Sequence, residues 1–361
     1  MKNQILNFII AILFISLIAS CSGNGKPVDP TQTVENLGLK GESVKLLEKA
    51  QRGLADAQYK LAWCLKEGVD ANQDYEKAIF WAKESSNNGC PEGTRLLGQC
   101  YENGLGVEKN LDKAKEWYLK ACEQAKPLVE KGNPFAMNVM AWLYKFGIGV
   151  ELDKEKAVEL YRKAADKGEA SALSELGLCY IEGTGVSKNE EKAIEYFKKA
   201  ADKGEIYGQY CLGVSYYEGN GVEKDNNQAL FWMKKAADRG LADAQVYLGN
   251  IYSDKDSPLK DVEKALEWYK KAAEKQNAFA QFNLGLLYSD GNGVKKDYEE
   301  AVKWYTKAAE QGNVGAQVNL GYCYENGQGV PKDKGKALEY YRKAANQGSE
   351  IAIENIRSMN R

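Results

Sequence analysis

The chain has 361 residues, of which 44% are hydrophobic and 28% are charged, and its formal net charge is −2. It carries no basic excess that could neutralise phosphates, which argues against a nucleic-acid partner. It also has no histidine, which excludes Ser-His and Cys-His nucleophile pairs, imidazole metal ligands and the usual near-neutral general base. We therefore expect no enzyme, no metal and no cofactor.

The first twenty residues are typical of an export signal. Lys2 precedes an apolar run from Ile5 to Ile18, which is shorter than the roughly 20 residues of a membrane span. The run ends at Ile18, Ala19, Ser20 and Cys21, and this ending resembles the bacterial lipobox. The resemblance implies a lipoprotein signal peptide over residues 1–20 and a diacylglyceryl group on the Cys21 thiol, which would be the only attachment to the membrane.

The segment after Cys21 is expected to be a lipidated flexible tether over residues 21–40, because it is polar, rich in glycine and proline, and has no helical period. Ser22 follows the cysteine where an Asp would signal retention in the enterobacterial sorting pattern, so the resemblance implies the outer membrane. No acidic cluster follows Cys21, which favours the periplasmic side of the bacterial cell envelope.

A repeat begins after the tether. Leu-Gly pairs recur with glycines at 177, 213, 249, 285 and 321, each 36 residues after the one before. A second, independent marker keeps the same period. It is a large residue in the second helix of each repeat, at Trp81, Trp117, Leu160, Tyr196, Trp232, Trp268, Trp304 and Tyr340. A fixed period of this length predicts a solenoid.

Each repeat reads as a helical hairpin. A first helix such as 207–218 ends at Gly219, and a second helix such as 227–239 ends at Gly240, because a helix C-terminus favours a residue that tolerates positive φ. Alanines let the two helices approach closely, and the marker Trp or Tyr is expected to fill the gap between hairpins. One hairpin cannot bury both of its faces, so the hairpins must stack.

The full pattern resembles the Sel-one-like (SLR) repeat family, which is related to the tetratricopeptide repeats. It appears clearly as Ala316, Gln317, Leu320, Gly321 and Tyr324, followed by Gly327, Gly329, Val330 and the Lys343, Ala344, Ala345 run. Over residues 41–361 the resemblance implies an all-α fold, an α-solenoid of about eight 36-residue helix-turn-helix repeats in a right-handed superhelix. It also implies terminal half-repeat caps and a concave groove that binds proteins.

Several positions depart from the pattern. Asp70 stands where the second loop glycine belongs, and residues 253–258 replace the loop of the sixth repeat, so both turns are expected to differ in shape. Seven extra residues near Pro127 are expected to lengthen a second helix by about two turns. Residues 43–52 and 349–359 are expected to form single capping helices.

The cysteines are interpreted mainly as core residues. Cys64, Cys100, Cys179 and Cys323 occupy one slot, two positions after the marker, which suits a small apolar side chain. Cys122 resembles a cysteine of the cysteine-rich SLR proteins of Helicobacter, but the partner cysteine expected in the following helix is missing. Seven cysteines remain besides Cys21, so at least one stays free or pairs between chains.

Helix phase predicts a ligand-binding face. At 100° per residue, some first-helix slots point away from the consensus face, and in tetratricopeptide-like stacks these slots line the groove. Aromatic and amide side chains predominate there, which suits an extended peptide or polar polymer. The predicted groove residues are Tyr59, Trp63, Arg95, Gln99, Asn138, Trp142, Tyr210, Tyr217, Tyr247, Asn250, Asn283 and Tyr322. Packing against neighbouring hairpins is the alternative role for each.

The preferred function is a membrane-anchored scaffold that binds a protein or peptide in the groove. The alternative is a cell-wall enzyme or a module that binds a cell-wall component, because β-lactamase activity is credited to Helicobacter relatives. Ser85, Ser171 and Ser215 lack the lysine three residues later that such a nucleophile needs. A third possibility is assembly of the chain with itself through its end caps.

Overall fold

The computed structural model of the chain describes residues 33–255 and 257–359. Every regular element in these ranges is a helix, and the chain divides into two compact units at residues 188 and 189. The predicted signal peptide, Cys21 and the tether up to residue 32 lie outside the described residues. No described helix is both long enough and apolar enough to cross a membrane.

Unit 1 contains nine described helices, and unit 2 contains ten. The helices of unit 1 are α1 (Val34–Leu37), α2 (Glu42–Gln51), α3 (Ala55–Glu67), α4 (Tyr75–Asn87), α5 (Pro91–Asn103), α6 (Leu111–Glu130), α7 (Pro134–Phe146), α8 (Lys154–Asp166) and α9 (Ala170–Glu182). The helices of unit 2 are α10 (Glu190–Asp202), α11 (Ile206–Glu218), α12 (Asn226–Asp238), α13 (Ala242–Ser253), α14 (Val262–Glu274), α15 (Ala278–Asp290), α16 (Tyr298–Glu310), α17 (Val314–Asn326), α18 (Lys334–Asn346) and α19 (Glu350–Met359).

Within each unit, every helix from α2 onward packs on the next helix along the chain. The pairs α3–α4, α5–α6 and α7–α8 form the hairpins of unit 1, and α11–α12, α13–α14, α15–α16 and α17–α18 form those of unit 2. The all-α solenoid fold with helical hairpin repeats is therefore confirmed. The predicted single helices are also present, since α2 packs on α3 and α19 packs on α18.

Both helices of a hairpin have local stop and start signals. Gly327 ends α17 in the left-handed region at φ 72°, as the glycine pattern predicts. Asp333 begins α18, and its carboxylate accepts a hydrogen bond from the backbone N–H of Lys336. An Asp or Asn holds this N-cap position in α10 and in the second helix of each of the seven hairpins: Asp74, Asn110, Asp153, Asn189, Asp225, Asp261, Asp297 and Asp333. These caps satisfy otherwise unpaired N–H groups.

The close approach of the two helices depends on the marker glycine. A Cβ atom at Gly321 would lie 2.6 Å from Cε1 of Tyr341, a ring that is fully buried. Gly98, Gly249 and Gly285 are covered in the same way by Tyr118, Tyr269 and Tyr305. Because glycine has no side chain, the buried ring of the second helix occupies the space where a Cβ atom would lie.

This ring is not the marker aromatic, which was expected to fill the gap between hairpins. The marker directly precedes the ring, as Trp304 precedes Tyr305, and Trp304 packs against a core cluster that includes Tyr269 and Ala273 of the preceding hairpin. Trp304 is half-buried, and Lys307 places its ammonium 4.3 Å from the centre of the Trp304 ring. Such a contact contributes about 0.5–1 kcal/mol at an exposed site. Trp304 thus packs at the rim of the core under a lysine, whereas the markers Trp81 and Trp268 are buried.

Buried glutamines join successive hairpins. The Nε2 group of Gln317 donates to the carbonyl of Ala309 at 3.2 Å, and Gln347 Nε2 donates to Gln317 Oε1 at 2.9 Å. Gln58, Gln245 and Gln281 donate in the same way to Ala50, Ala237 and Ala273. Each of these carbonyls also accepts a backbone N–H from three residues later, so the glutamine adds a second hydrogen bond at the end of the helix.

The departures from the repeat have mixed outcomes. The altered turn predicted at Asp70 is wrong, because Asp70 adopts the left-handed conformation of the missing glycine at φ 51°. Its carbonyl accepts hydrogen bonds from Lys40 N and Ser43 Oγ. The altered turn of the sixth repeat is confirmed, since α13 ends at an extended Asp254. The predicted extension is also confirmed: α6 has 20 residues where the other second helices have 13.

The prediction of a flexible tether reaching residue 40 is wrong for its last part. Residues 34–37 form α1, and Leu37 and Leu39 are buried in the core of the first hairpin beside Leu47 and Leu61. Asn72 N donates to the carbonyl of Leu37 at 3.0 Å. The two leucines are the physical reason, because burying a leucine side chain contributes about 1.5–3 kcal/mol.

We expect Gly321→Ala to lower the free energy of unfolding by about 1–3 kcal/mol, because the new methyl group overpacks the contact with Tyr341. Gly335→Ala is the matched control: it lies in α18, and its Cβ would meet only Asp333 Oδ1, at 3.3 Å. Urea denaturation of both variants measures the difference. Equal stability of the two variants would contradict the packing role of the glycine.

Candidate binding surfaces

The twelve predicted groove residues divide equally between the two units, all on first helices. Unit 1 holds Tyr59, Trp63, Arg95, Gln99, Asn138 and Trp142, and unit 2 holds Tyr210, Tyr217, Tyr247, Asn250, Asn283 and Tyr322. Eleven are half-buried, and Tyr322 is 49% exposed. Each therefore packs partly against the protein and keeps part of its surface available.

In unit 1 the arginine patch, formed by Arg95, Trp142, Tyr118 and Phe146, joins two hairpins. The guanidinium carbon of Arg95 lies 5.2 Å from the centre of the Trp142 ring. The Trp142 ring is in turn 5.2 Å from the Tyr118 ring and 5.0 Å from the Phe146 ring. Tyr118 is a buried residue of a second helix, so a groove prediction drawn from first-helix slots did not include it.

The arginine patch contains polar atoms without partners. Arg95 makes no ion pair or hydrogen bond within the described ranges, and its Nε atom is shielded from solvent. Asn138 Nδ2 donates to Ser171 Oγ at 3.0 Å, but Asn138 Oδ1 is buried with no partner. Buried groups of this kind are normally hydrogen-bonded. The patch therefore offers one cationic donor and one amide acceptor to a ligand.

In unit 2 three tyrosines form the tyrosine patch. The Tyr247 ring lies 5.6 Å from that of Tyr210 and 6.3 Å from that of Tyr217, both edge to face. Burial raises the pKa of the Tyr247 hydroxyl, and the nearby Glu218 carboxylate raises it further. The three phenols therefore remain neutral hydrogen-bonding groups at physiological pH.

Beside the tyrosine patch, Asn250 of α13 and Asn283 of α15 form an amide pair. Asn250 Oδ1 accepts hydrogen bonds from Tyr269 OH at 2.8 Å and from Asn283 Nδ2 at 3.2 Å. These two predicted residues therefore contact each other as well as the core tyrosine. The alternative packing role holds for part of their surface.

Tyr322 lies in a separate cavity of about 320 Å³ in unit 2. Asn319, Tyr305, Tyr298 and Lys296 also line this cavity. Asn319 was missed by the sequence reasoning, although it occupies the same slot as Asn283, two residues before the marker glycine. Including the residue two positions before the marker glycine in every repeat would have identified Asn319 from the sequence.

Unit 1 also contains an acidic pocket of about 140 Å³ at the first turns of α3, α5 and α7. It is lined by Ala55, Asp56, Asn88, Gly89, Cys90, Pro91, Glu92, Leu128, Asn133 and Phe135. Glu92 is only 2% exposed, and its Oε1 atom has no hydrogen-bond partner. The Cys90 thiol lies 3.3 Å from the other carboxyl oxygen, Oε2. Burial raises the pKa of Glu92 to about 7, against opposing effects that include the Arg95 cation.

Within the part of the chain that the structure describes, no group of three or more Cys, Asp or Glu residues is arranged to hold a metal ion. None of the seven described cysteines forms a disulfide with another described cysteine, and six of them are buried. Cys64, Cys100, Cys179 and Cys323 are among the buried ones, which confirms their predicted packing role.

Comparison with known families identifies the repeat. The Sel1 repeat family matches eight consecutive segments, residues 55–90, 91–126, 134–169, 170–205, 206–241, 242–277, 278–313 and 314–349. The solved structure of a Sel1 repeat protein from Oxalobacter formigenes is similar at 29% identity, with a TM-score of 0.57, covering 95% of this chain and 99% of that one. A protective antigen of uropathogenic Escherichia coli with an SLR fold shares 30% identity at a TM-score of 0.48, covering 87% of this chain and 81% of that one.

Two curated proteins match shorter segments. The chitin synthase regulator SKT5 of Saccharomyces cerevisiae is 37% identical over 84 residues, which cover 23% of this chain and 10% of the yeast protein. An uncharacterized protein of Neisseria meningitidis is 30% identical over 76 residues, covering 21% of this chain and 16% of that protein. Both matches therefore span a small part of the relatives.

Glu92 gives the stability of the chain a pH dependence. Its folded pKa, about 7, is above the ordinary value, so the stability that its protonated form supports is complete below about pH 4 and is lost as pH rises through about 7. We expect Glu92→Gln to remove this loss and to raise the free energy of unfolding at pH 8 by up to about 3 kcal/mol relative to wild type. Urea denaturation at pH 5 and pH 8 tests this, and a pH dependence shared by both proteins would contradict it.

Proposed function

Because this chain belongs to the Sel1 repeat family, we propose that it is a lipid-anchored scaffold without chemistry of its own, which binds a protein or peptide on the first-helix faces of its hairpins. Sel1 repeat proteins generally mediate protein–protein interactions, and the family is typically non-enzymatic. The observation that carries the proposal is the set of half-buried aromatic and amide residues that these faces share.

The arginine patch of unit 1 suits a polypeptide ligand. Trp142 offers a large apolar surface at low entropic cost, as residues that dominate binding energies do. Arg95 places its guanidinium against this ring and makes no ion pair within the described ranges. Its charge favours a ligand that carries carbonyl or carboxylate oxygens.

The tyrosine patch of unit 2 offers a second surface of the same character. Tyr210, Tyr217 and Tyr247 combine ring surface with hydroxyl groups, and tyrosines of this kind are enriched at interfaces. An extended chain of varied sequence can be held by such rings, because ring contacts require no fixed side-chain partner.

The proposal also includes a place in the cell. The lipobox resemblance at Cys21 supports a lipid anchor, and Ser22 supports the outer membrane. The lack of an acidic cluster directly after Cys21 supports the periplasmic side for the repeats. Two or three acyl chains would hold the protein stably, since each buried CH₂ contributes about 0.8 kcal/mol.

We expect Trp142→Ala and Tyr210→Ala each to weaken binding of the partner by about 2 kcal/mol, roughly 30-fold in Kd. The partner is first identified by crosslinking in cells and mass spectrometry, and its Kd is then measured with purified proteins. Leu152→Ala and Phe231→Ala are matched controls, because both residues are exposed and apolar and lie off the predicted faces.

Unchanged affinity of both face variants, with circular dichroism showing intact helices, would contradict the binding surfaces. Recovery of cell-wall fragments alone, together with covalent labelling by a fluorescent penicillin, would contradict the scaffold proposal and support the cell-wall alternative.

We expect Cys21→Ala to release the protein from the membrane, because the modified thiol is the proposed anchor. Detergent phase partitioning and cell fractionation measure the change, and Cys122→Ala is the control because that thiol is buried. Equal membrane association of the Cys21→Ala variant and the wild type would contradict the lipid anchor.

A further inference from the structure

The acidic pocket of unit 1 exists because one repeat departs from the rest. Glu92 is the second residue of its first helix, and the residues at this place in the other helices are all exposed or half-buried: Asp56, Phe135, Ser171, Tyr207, Asp243, Phe279, Gly315 and Ile351. Glu92 alone among these positions is buried, at 2% exposure. Leu128 and Asn133, which belong to the seven-residue extension, line the pocket beside it. The extension therefore encloses a carboxyl group that a regular repeat leaves in solvent.

The pocket leaves one oxygen of this carboxyl without a partner. Glu92 Oε1 makes no hydrogen bond, and neither Glu92 nor Asp56 forms an ion pair with any residue in the described ranges. No lysine or arginine is among the lining residues. A buried carboxyl with an unpaired oxygen is costly unless a donor reaches it. The missing donor is the clearest indication of a ligand.

The lining chemistry defines that ligand. Two carboxyls line the pocket together with the side chains of Asn88 and Asn133, and Asn133 Oδ1 already accepts the backbone N–H of Ala136 as the N-cap of α7. The unpaired carboxyl oxygen is matched by a hydrogen-bond donor, and the carboxyl charges favour a cation. The N-termini of α3, α5 and α7 border the pocket with partial positive charges of about half an elementary charge each, together less than the charge of two carboxylates. Ala55, Pro91, Leu128 and Phe135 provide apolar walls for methylene groups.

The size of the pocket also limits the choice. A volume of about 140 Å³ is close to that of an engineered cavity of about 150 Å³ that accepts benzene. The end of an alkylammonium chain fits such a space, whereas a whole dipeptide does not. The chain itself already places one ammonium at this edge, since Lys60 Nζ lies 5.3 Å from the centre of the Phe135 ring.

We propose that this pocket binds a primary ammonium group of the bound polypeptide, either a lysine side chain or a chain amino terminus, with Glu92 Oε1 accepting its hydrogen bond. The inference rests on the proposed function, because the polypeptide supplies the ammonium. The titratable and charged groups around Glu92 are Asp56, Tyr59 and Lys60 of α3, Cys90 before α5, and Arg95 of α5. The residues that α6 and α7 contribute to the lining, Leu128 and Phe135, do not titrate.

The test uses the purified full-length chain and three tripeptide amides. NMR titration measures binding at about pH 7.5, where most of the Glu92 carboxyl is charged and most of a terminal amine still holds its proton. Acetyl-Ala-Lys-Ala amide carries only a side-chain ammonium, Ala-Ala-Ala amide carries only a terminal one, and acetyl-Ala-Ala-Ala amide carries none. We expect one ammonium peptide to bind at least about tenfold more tightly than the neutral peptide, and its identity reveals the source of the group.

Variants separate the pocket from general effects of charge. We expect Glu92→Gln to remove the preference for the ammonium peptide, and Asp56→Asn, a change at an exposed residue, to weaken it several-fold. Asp243→Asn removes a carboxylate at the equivalent place in unit 2 and should leave binding unchanged. Wild-type binding should also weaken several-fold at about pH 5.5, where Glu92 holds its proton.

Equal binding of the charged and neutral peptides, or full retention of the preference in both Glu92→Gln and Asp56→Asn, would overturn the pocket assignment. The two proposals fail separately. Partner affinity that depends on Trp142 and Tyr210 while ammonium selectivity is absent would leave the scaffold intact and remove the pocket. Ammonium selectivity without any polypeptide partner would support the pocket proposal and contradict the scaffold proposal.

Discussion

The contact between a glycine in the first helix and a buried ring in the second is the constraint on which four hairpins depend, those of Gly98, Gly249, Gly285 and Gly321. At Gly321 the Tyr341 ring occupies the space of a side chain, so the two helices approach at a distance that only glycine allows. The hydroxyl of the same ring donates to Glu325 at 2.8 Å, which keeps the phenol satisfied in the core. Glutamines such as Gln317 then tie each hairpin to the preceding one. Regular stacking follows from these few contacts.

The residues of the candidate sites take no part in this glycine–ring contact. The slots that carry Trp142 and Tyr247 are not needed for hairpin packing, so their side chains are free to differ from repeat to repeat. The pocket around Glu92 arises differently, from the extension of α6 that places Leu128 and Asn133 over a neighbouring helix end. Repetition therefore provides the scaffold, and both variable slots and interruptions provide places for recognition.

Much of the fold could be predicted from the sequence because the signals are local. The marker glycines, the loop glycines and the lengthened α6 are read directly from spacing. Asp70 could not be predicted, because its positive φ is held by contacts with Lys40 and Ser43 across the first hairpin. The packing of Leu37 and Leu39 was missed for the same reason. The burial of Glu92 depends on residues that lie some 40 positions later in the sequence, and only the structure brings them together.

The central claim is that the partner lies on the first-helix faces, and site-specific photocrosslinking in living cells tests it most directly. A photoreactive phenylalanine analogue would be introduced at Trp63 and Tyr247 on these faces, and at Leu152 and Phe231 away from them. The account predicts covalent adducts with one and the same partner from both face positions and none from the other two. Adducts from Leu152 and Phe231 alone would place the partner on the opposite surface and contradict the account.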